Sequence, residues 1–257
     1  NAYDYAVISG GNGNWGGNGS ITISNGTVRS NGSFLMNGGG TVVANVESSV
    51  NVFGNGNCEI IGDVTSPAYT GAGNKFPEAI DGVVTTEPVP LVTIPQIDLT
   101  PYYNEATKDG WRGVYNFDQI WTNLPPMPPH GIIWINGSLK VAGNLNFGNL
   151  TIMTTGNIDW QGGSITNFGT YPALVSRDGN ISITANQEIG GLIYAKTGGV
   201  NKGGNGLLRG QIISNGEFRK VGGASAIYYV DSTPTPPADG GDTGPGPDVI
   251  GISAWSK

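Results

Sequence analysis

Short β-type runs recur along the chain at intervals of about 19 residues, and each is closed by glycine or by an asparagine–glycine pair. In the second half the runs begin at steps of 19, 22, 19 and 19 residues, at Gly131, Leu150, Pro172, Gly191 and Gly210. A period of this length is typical of a solenoid whose turns stack on one another. The pattern therefore predicts an all-β fold, a parallel β-solenoid in which residues 19 apart become vertical neighbours.

A first array of such runs occupies residues 1–65, where Asn-Gly pairs separate strands of two to four residues. Asparagine and glycine adopt positive φ at low cost, so each pair turns the chain sharply. The same dipeptide is also typical of tight antiparallel hairpins, and a hairpin meander remains an alternative. The recurring spacing of similar strands favours the coil, with turns about 4.8 Å apart.

Residues 66–130 interrupt this pattern, because ten prolines fall there and each lacks the N–H that a strand ladder needs. We predict a long proline-rich insertion that lies across the rod. It should carry one short helix, with Thr100 as N-cap, Pro101 in the first turn and an end near Gly110.

The second array, residues 131–230, is more regular than the first. After it, residues 231–248 (DSTPTPPADGGDTGPGPD) have the composition of a linker, and residues 249–255 return to strand character. We therefore expect a single domain over residues 1–257 whose last strand folds back onto the solenoid.

The amino-acid composition excludes several classes of function. The formal charge of −7 and the scattered basic residues argue against a nucleic-acid partner, which requires clustered lysine and arginine. A single cysteine, Cys58, excludes an internal disulfide framework and a cysteine zinc cluster. A single histidine, His130, removes most Ser-His-Asp and His-rich metal schemes. No signal peptide or membrane span is visible, and the polar Asn/Gly/Thr-rich composition suggests an extracellular bacterial surface protein.

Several segments follow one another along the chain in an order that is typical of a known family. Residues 5–11 (YAVISGG) open the first array, and the proline-bounded 95–99 (PQIDL) precedes a Tyr-rich helix. Residues 131–139 (GIIWINGSL) and 191–195 (GLIYA) follow in the second array, and 253–255 (SAW) close the chain. This order resembles the solenoid ectodomains of large pilin-like proteins found with bacterial type IV pili.

The resemblance implies a cell-surface or pilus location, pilus subunits as partners, and an N-terminal hydrophobic anchoring helix, which this sequence lacks; the pilus assignment therefore stays open. The chain is also similar in style to the tāpirin cellulose adhesins. Those proteins come from heat-loving bacteria, whereas the nine Asn-Gly pairs of this chain are prone to deamidation.

Catalysis is the main alternative, because right-handed β-helices also house polysaccharide lyases and glycoside hydrolases with clustered carboxylates, calcium or a basic residue. Acids occur in the insertion and, at differing offsets within their rungs, on the arrays, so no stacked acidic pair is expected and we predict no catalytic residues. The nonapeptides of calcium-binding rolls are absent, and the acids of the linker are better explained as solvated charges. We expect neither a metal nor a cofactor. Threonine ladders that would favour ice binding are not visible.

Carbohydrate binding is the sharper hypothesis. Trp134 and Tyr194 fall at one offset on their rungs and are flanked by aliphatic residues, so both should point outward on one face. Exposed aromatic rings stack on sugar rings, and Trp111, Tyr115 and Trp121 of the insertion could add to the strip. The opposing interpretation is that the insertion's own aromatics cover this face as a second buried layer.

We therefore expect a non-catalytic adhesion module of the bacterial cell surface or type IV pilus. Its partner would be an insoluble polysaccharide such as cellulose, or another cell-surface polymer, bound through exposed aromatics. The alternative is a polysaccharide lyase or glycoside hydrolase on a right-handed β-helix.

Overall fold

The computed structural model describes residues 1–17, 19–72, 77–169, 171–222 and 225–230, together with Pro234 and Pro236. The predicted linker and terminal strand (231–257) lie outside the described residues except for those two prolines. Within the described part of the chain there are 25 strands, one α-helix and two 3₁₀ turns.

The strands of the first half are β1 (Val7–Ser9), β2 (Gly13–Gly16), β3 (Ile21–Ser30), β4 (Phe34–Asn37), β5 (Thr41–Ser48), β6 (Val52–Asn55), β7 (Glu59–Ile61), β8 (Val64–Ser66), β9 (Tyr69–Ala72), β10 (Ile80–Asp81) and β11 (Val84–Thr86). The helix α1 spans Thr100–Lys108, and the 3₁₀ turns span Ala2–Asp4 and Gly110–Arg112.

The strands of the second half are β12 (Val114–Tyr115), β13 (Gln119–Trp121), β14 (Ile132–Ile135), β15 (Leu139–Val141), β16 (Thr151–Thr154), β17 (Ile158–Trp160), β18 (Ile165–Thr166), β19 (Leu174–Ser176), β20 (Ile181–Ile183), β21 (Ile189–Ala195), β22 (Val200–Lys202), β23 (Leu208–Ser214), β24 (Phe218–Val221) and β25 (Ser225–Tyr229).

All strand pairs among the described residues are parallel, so the chain coils and does not fold back in hairpins. The coil makes about eleven turns. The predicted parallel β-solenoid is confirmed, and the hairpin meander is wrong. Asparagine–glycine pairs therefore form the corners between faces of a coil in this protein.

The solenoid has three faces. Face A is the row of strands β12, β14, β16, β19, β21, β23, β1, β3, β5, β8 and β11, with the long strands contributing their C-terminal halves. Face B is the ten-stranded sheet from β13 to β9. Face C is formed by β18, β25, β7 and β10 with the first halves of β21, β23, β3 and β5.

Strands β21 and β23 bend from face C to face A at stacked glycines. Gly191 and Gly210 have φ of 107° and 137°, values that residues with a side chain rarely adopt. A Cβ on Gly210 would lie 2.2 Å from the Gly191 carbonyl oxygen. Glycine is therefore required where successive turns come this close.

The chain begins in the middle of the rod. Strand β1 pairs with β3 on one side and with β23 on the other, so Val7 lies between Val28 and Ile212. The first array leads from this central turn to one end, and the second array starts at the other end and returns to the centre. The two arrays therefore make one continuous solenoid, although they are stacked in the reverse of their order along the chain.

One insertion over residues 66–130 is not what the structure shows. Strands β9 to β11 continue the first array through residue 86, and β12 and β13 already belong to the second array. Among the described residues before 230, the segment 87–113 is the one that leaves the solenoid, and we call it the crossover. It carries the chain from one end of the rod to the other along face A. Its prolines need no ladder partner there, which explains why they are tolerated.

The helix of the crossover is present where it was predicted, one residue longer at its start. Leu99 takes the N-cap position and Thr100 is the first helical residue, whose N–H donates to the Asp98 Oδ1 at 2.9 Å. A shift of one residue at a helix end is within the usual variation of boundaries.

Apolar residues form two layers on either side of face A. The inner layer fills the solenoid, with Ile133, Ile152, Leu174, Ile193 and Ile212 fully buried. The outer layer lies between face A and the crossover, which contributes Ile94, Ile97, Leu99, Tyr102 and Ala106. Face A is therefore covered on both sides wherever the crossover lies on it.

One position of each face A strand points outward in register, and we call this set the outer row. In order along the rod it contains Val114, Trp134, Met153, Val175, Tyr194, Ile213, Ile8, Arg29, Glu47, Thr65 and Thr85.

Candidate functional site at the edge of the crossover

Trp134 and Tyr194 occupy the outer row, as their shared offset predicted. They are not exposed, because the crossover covers them: Trp134 is 5% exposed and Tyr194 is fully buried. The expectation of an open aromatic strip is therefore wrong for these two residues. The opposing interpretation, a second buried layer, describes their environment, although aliphatic residues and Tyr102 supply most of the cover.

The three remaining candidates lie at the end of the rod formed by β12 and β13. Trp121 is buried inside the solenoid with its ring 5.8 Å from those of both Tyr115 and Phe147, and Tyr115 is half-buried. Trp111 is 67% exposed, and the Arg112 guanidinium lies 5.3 Å from its ring centroid. Of the five predicted binding residues, only Trp111 keeps a ring open to solvent.

A groove of about 340 Å³ lies where the start of α1 meets the corner between faces A and B. It is lined by Asp98, Leu99, Thr100, Tyr103, Trp134, Asn136, Arg177 and Lys196. Three of these residues come from corner positions of the solenoid, and four come from the crossover. The groove therefore exists only because the crossover docks beside this corner.

An aromatic pair forms part of the groove wall. The Tyr103 ring meets Trp134 edge-on, with centroids 5.2 Å apart, and Tyr103 is 38% exposed. The Trp134 indole N–H donates to Asn136 Oδ1 at 2.8 Å, and the Asn136 amide donates to Asn116 at 3.0 Å. Trp134 is thereby fixed in place, and Tyr103 presents the aromatic surface that a ligand could reach.

The corner side chains of the groove follow a repeat. Asn136, Arg177 and Lys196 each come five residues after a run start, at Gly131, Pro172 and Gly191. Because equal offsets stack in a solenoid, the sequence carried the signal that these three polar residues share one corner. The offsets of the aromatic residues do not reveal this corner.

No repeat in the sequence predicts which residues of the crossover line the groove. Asp98 and Tyr103 lie next to the corner only because the crossover returns along face A, which depends on the order in which the two arrays stack. The sequence does not display that order.

Hydrogen bonds hold the crossover against the corner. The Tyr194 hydroxyl donates to the Pro95 carbonyl at 2.7 Å, and Lys196 Nζ lies 3.5 Å from the Ile97 carbonyl. Burial raises the pKa of Tyr194 to about 12, so this hydroxyl remains a donor at neutral pH. The wall of the groove is therefore fixed to the solenoid by both packing and hydrogen bonds.

The far end of α1 is tied down by the single histidine. His130 Nδ1 lies 2.7 Å from Asp109 Oδ1, and the His130 backbone N–H donates to Asp109 Oδ2 at 3.0 Å. On the other side of the ring, Nε2 lies 3.5 Å from Glu105 Oε1. These contacts join the helix to the turn before β14. They employ two carboxylates of the crossover outside the groove.

Asp98 is the only carboxylate among the groove residues. Hydrolysis of a glycosidic bond generally needs two carboxylates that flank it, so the groove lacks that arrangement. Within the described ranges, no three His, Cys, Asp or Glu side chains are grouped so that they could hold a metal ion. Nor does any described helix have the length and apolar character needed to span a membrane.

No protein-family model matches this chain, and comparison with curated proteins and with solved structures gives no significant match.

Proposed function

We propose that the protein is a non-catalytic adhesion module of a bacterial cell surface or type IV pilus that binds polysaccharide in the groove beside α1. The observation that carries the proposal is the lining of the groove. An accessible tyrosine ring stands next to hydrogen-bonding side chains from three turns of the solenoid. The surface and pilus assignment rests on the sequence resemblance and on composition.

The geometry suits an extended polymer. Asn136 and Lys196 lie three turns apart at the same corner, which corresponds to about 14 Å along the rod at about 4.8 Å per turn. Tyr103 can stack on a sugar ring, while amide, carboxylate, guanidinium and ammonium groups meet its hydroxyls. Recognition sites for small ligands commonly combine an aromatic surface with a few fixed polar groups in this way.

A pull-down with insoluble cellulose, chitin and bacterial cell wall tests the proposal. The wild-type protein should sediment with at least one of these polymers. Tyr103→Ala should weaken that binding about tenfold, because it removes the ring on which a sugar stacks; a nucleic-acid base stacked on an aromatic ring gains on the order of 1–3 kcal/mol. Tyr228→Ala is the matched control, because Tyr228 is 43% exposed on face C, away from the groove.

Trp111→Ala separates the groove from the aromatic end of the rod. If Trp111→Ala abolishes binding and Tyr103→Ala does not, the polysaccharide site lies at the end and the groove assignment is overturned. A reducing-end assay on the same samples tests the alternative. Release of soluble sugar would identify a lyase or hydrolase and reject the adhesion module.

A further inference from the structure

Arg177 and Lys196 lie on successive turns at the same corner of the groove. The residues before them, Ser176 and Ala195, are register partners, and the Lys196 N–H donates to the Ser176 carbonyl at 2.9 Å. Their backbones are therefore about 4.8 Å apart along the rod. Both side chains reach the same groove.

The charges of this pair are incompletely neutralised. No carboxylate of the described residues lies within ion-pair distance of Lys196, whose ammonium has only the long 3.5 Å contact with a carbonyl oxygen of Ile97. Arg177 pairs with Asp178 through Nε and Nη2, at 2.7 and 2.6 Å, which leaves Nη1 for another acceptor.

The carboxylate on the crossover side of the groove forms no ion pair with either cation. Asp98 is directed to the start of α1, where its Oδ1 accepts the Thr100 N–H. The groove thus presents a cation with free donors, in a chain that has 19 acidic and 12 basic residues. A ligand with an anionic group would supply the acceptor that this ammonium lacks.

We propose that the groove selects an acidic polysaccharide, whose anionic groups contact Lys196 and Arg177 while Tyr103 stacks on a sugar ring. This inference rests on the proposed function, because it names the class of polymer for the same site. Hydrogen bonds between a cation and an anion are shorter and stronger than neutral ones. The arginine fork also matches the geometry of a carboxylate or sulfate group.

Binding of three soluble polymers tests the selection: polygalacturonate, its fully methyl-esterified form, and dextran sulfate. Polygalacturonate should bind about tenfold more tightly than its ester, since hydrogen bonds to charged groups are stronger than neutral ones even after solvent screening. Lys196→Gln should remove most of that preference, because it lowers the affinity for polygalacturonate much more than the affinity for the ester. Lys140→Gln is the matched control, because Lys140 is exposed on face B.

The polymers also distinguish the anionic group. Tighter binding of polygalacturonate than of dextran sulfate identifies carboxylates as the group that is read, and the reverse order identifies sulfates. Either order supports the proposal only if Lys196→Gln weakens binding and Lys140→Gln does not.

Equal affinity for polygalacturonate and its ester overturns the selection, as does unchanged polygalacturonate binding by Lys196→Gln. If neutral polymers still bind through Tyr103, only the acidic preference fails and the adhesion module stands. If no polymer of either experiment binds to the folded protein, the proposed function fails and this inference fails with it.

Discussion

The outer row of face A differs between its two ends. Its first seven members, from Val114 to Ile8, are apolar and lie against the crossover or the N-terminal turn. Its last four, Arg29, Glu47, Thr65 and Thr85, are polar. Both stretches share the same backbone geometry and the same register, so the difference lies in how each meets its cover. The apolar stretch packs against the crossover and the N-terminal turn, whereas Arg29 meets the crossover through a hydrogen bond to the Pro90 carbonyl.

The strand patterns of the two ends differ in the same way. Strands β14 and β16, beneath the crossover, are buried at every position, whereas β8 and β11 keep partly or largely exposed positions. A sheet covered on both faces gives continuous apolar runs, and a sheet with one solvated face gives alternation. The run Ile132–Ile135 thus already indicated a covered strand.

The largest expected effect on stability comes from replacing a tryptophan of the inner layer, and it should exceed the effect of replacing one in the outer layer. Trp160 is fully buried within the solenoid, where its indole N–H donates to the Gly163 carbonyl at 2.9 Å. Trp160→Ala should lower the free energy of unfolding by about 3–5 kcal/mol in chemical denaturation. Trp134→Ala, in the outer row, should cost about 2 kcal/mol, because the crossover can move inward and fill part of the space.

Limited proteolysis distinguishes the two variants further. Thermolysin should cut Trp134→Ala faster than wild type within residues 87–99, where Leu91 is already exposed, while the solenoid stays intact. Trp160→Ala should instead become susceptible throughout. Equal global destabilisation of both variants, with no local cleavage in Trp134→Ala, would contradict a separable outer layer.

An intermediate effect concerns two lysines that lie inside the solenoid. On face B, Lys202 and Lys220 are register partners and both are buried, in positions equivalent to Trp160 and Trp15. Burial, and secondarily the charge of Lys220, lowers the pKa of Lys202 to about 8. The Lys202 ammonium keeps one acceptor, the Gly203 carbonyl at 2.7 Å.

Lys202→Met should therefore stabilise the protein at pH 7 by about 1–3 kcal/mol, because the desolvation of a buried ammonium is removed. The lysine has a lower pKa in the folded chain than in the unfolded chain, so the unfolded state binds more protons between about pH 8 and 10.5. The free energy of unfolding of the wild-type protein therefore rises between about pH 8 and 10.5 as Lys202 loses its proton. The advantage of the variant should shrink over the same range.

Denaturation of wild type and Lys202→Met at pH 7, 9 and 10.5 measures the effect of this lysine and of its coupling to Lys220, because the titrating groups that do not interact with Lys202 cancel between the two proteins. A constant difference across the three pH values would show that packing, and not the charge, determines the effect. A destabilised variant at pH 7 would show that the hydrogen bond to Gly203 outweighs desolvation.

Much of the fold could be predicted from the sequence, because the solenoid is a local repeat. The 19-residue steps gave the parallel coil and placed Trp134, Tyr194 and Ile213 at one offset, which the register confirms. Alternation with Ile133 and Ile135 correctly placed Trp134 on the outer side. Each of these conclusions needs only backbone geometry and nearest-neighbour stacking.

The rest depends on long-range order that no repeat encodes. Whether the array after the crossover stacks below or above the first one decides whether the crossover covers face A, and hence whether Trp134 is exposed. The continuous apolar run of β14 was the available clue, but the aromatic offset alone cannot distinguish a covered ring from an open one. Tyr103 and Asp98 could not be placed beside the corner for the same reason.

The smallest expected effect tests how the crossover is held where the outer row becomes polar. Here packing gives way to single hydrogen bonds, and the Asn31 side chain pairs with both backbone groups of Val92. Its Nδ2 donates to the Val92 carbonyl at 2.6 Å, and the Val92 N–H donates to its Oδ1 at 2.9 Å. The Arg29 guanidinium donates to the Pro90 carbonyl close by.

Asn31→Ala should reduce the free energy of unfolding by about 1–2 kcal/mol, because two hydrogen bonds are lost while water can reach the freed groups. Hydrogen exchange in the peptide around Val92 should accelerate about tenfold, and exchange in α1 should not change. Asn215→Ala is the matched control, since Asn215 also precedes glycine at the same corner but lies beside the apolar part of the outer row.

If both variants behave alike, the polar end of the crossover is held by something other than Asn31. If exchange also rises in α1, the crossover opens as one unit, and the contrast between its packed and its hydrogen-bonded ends does not exist in solution.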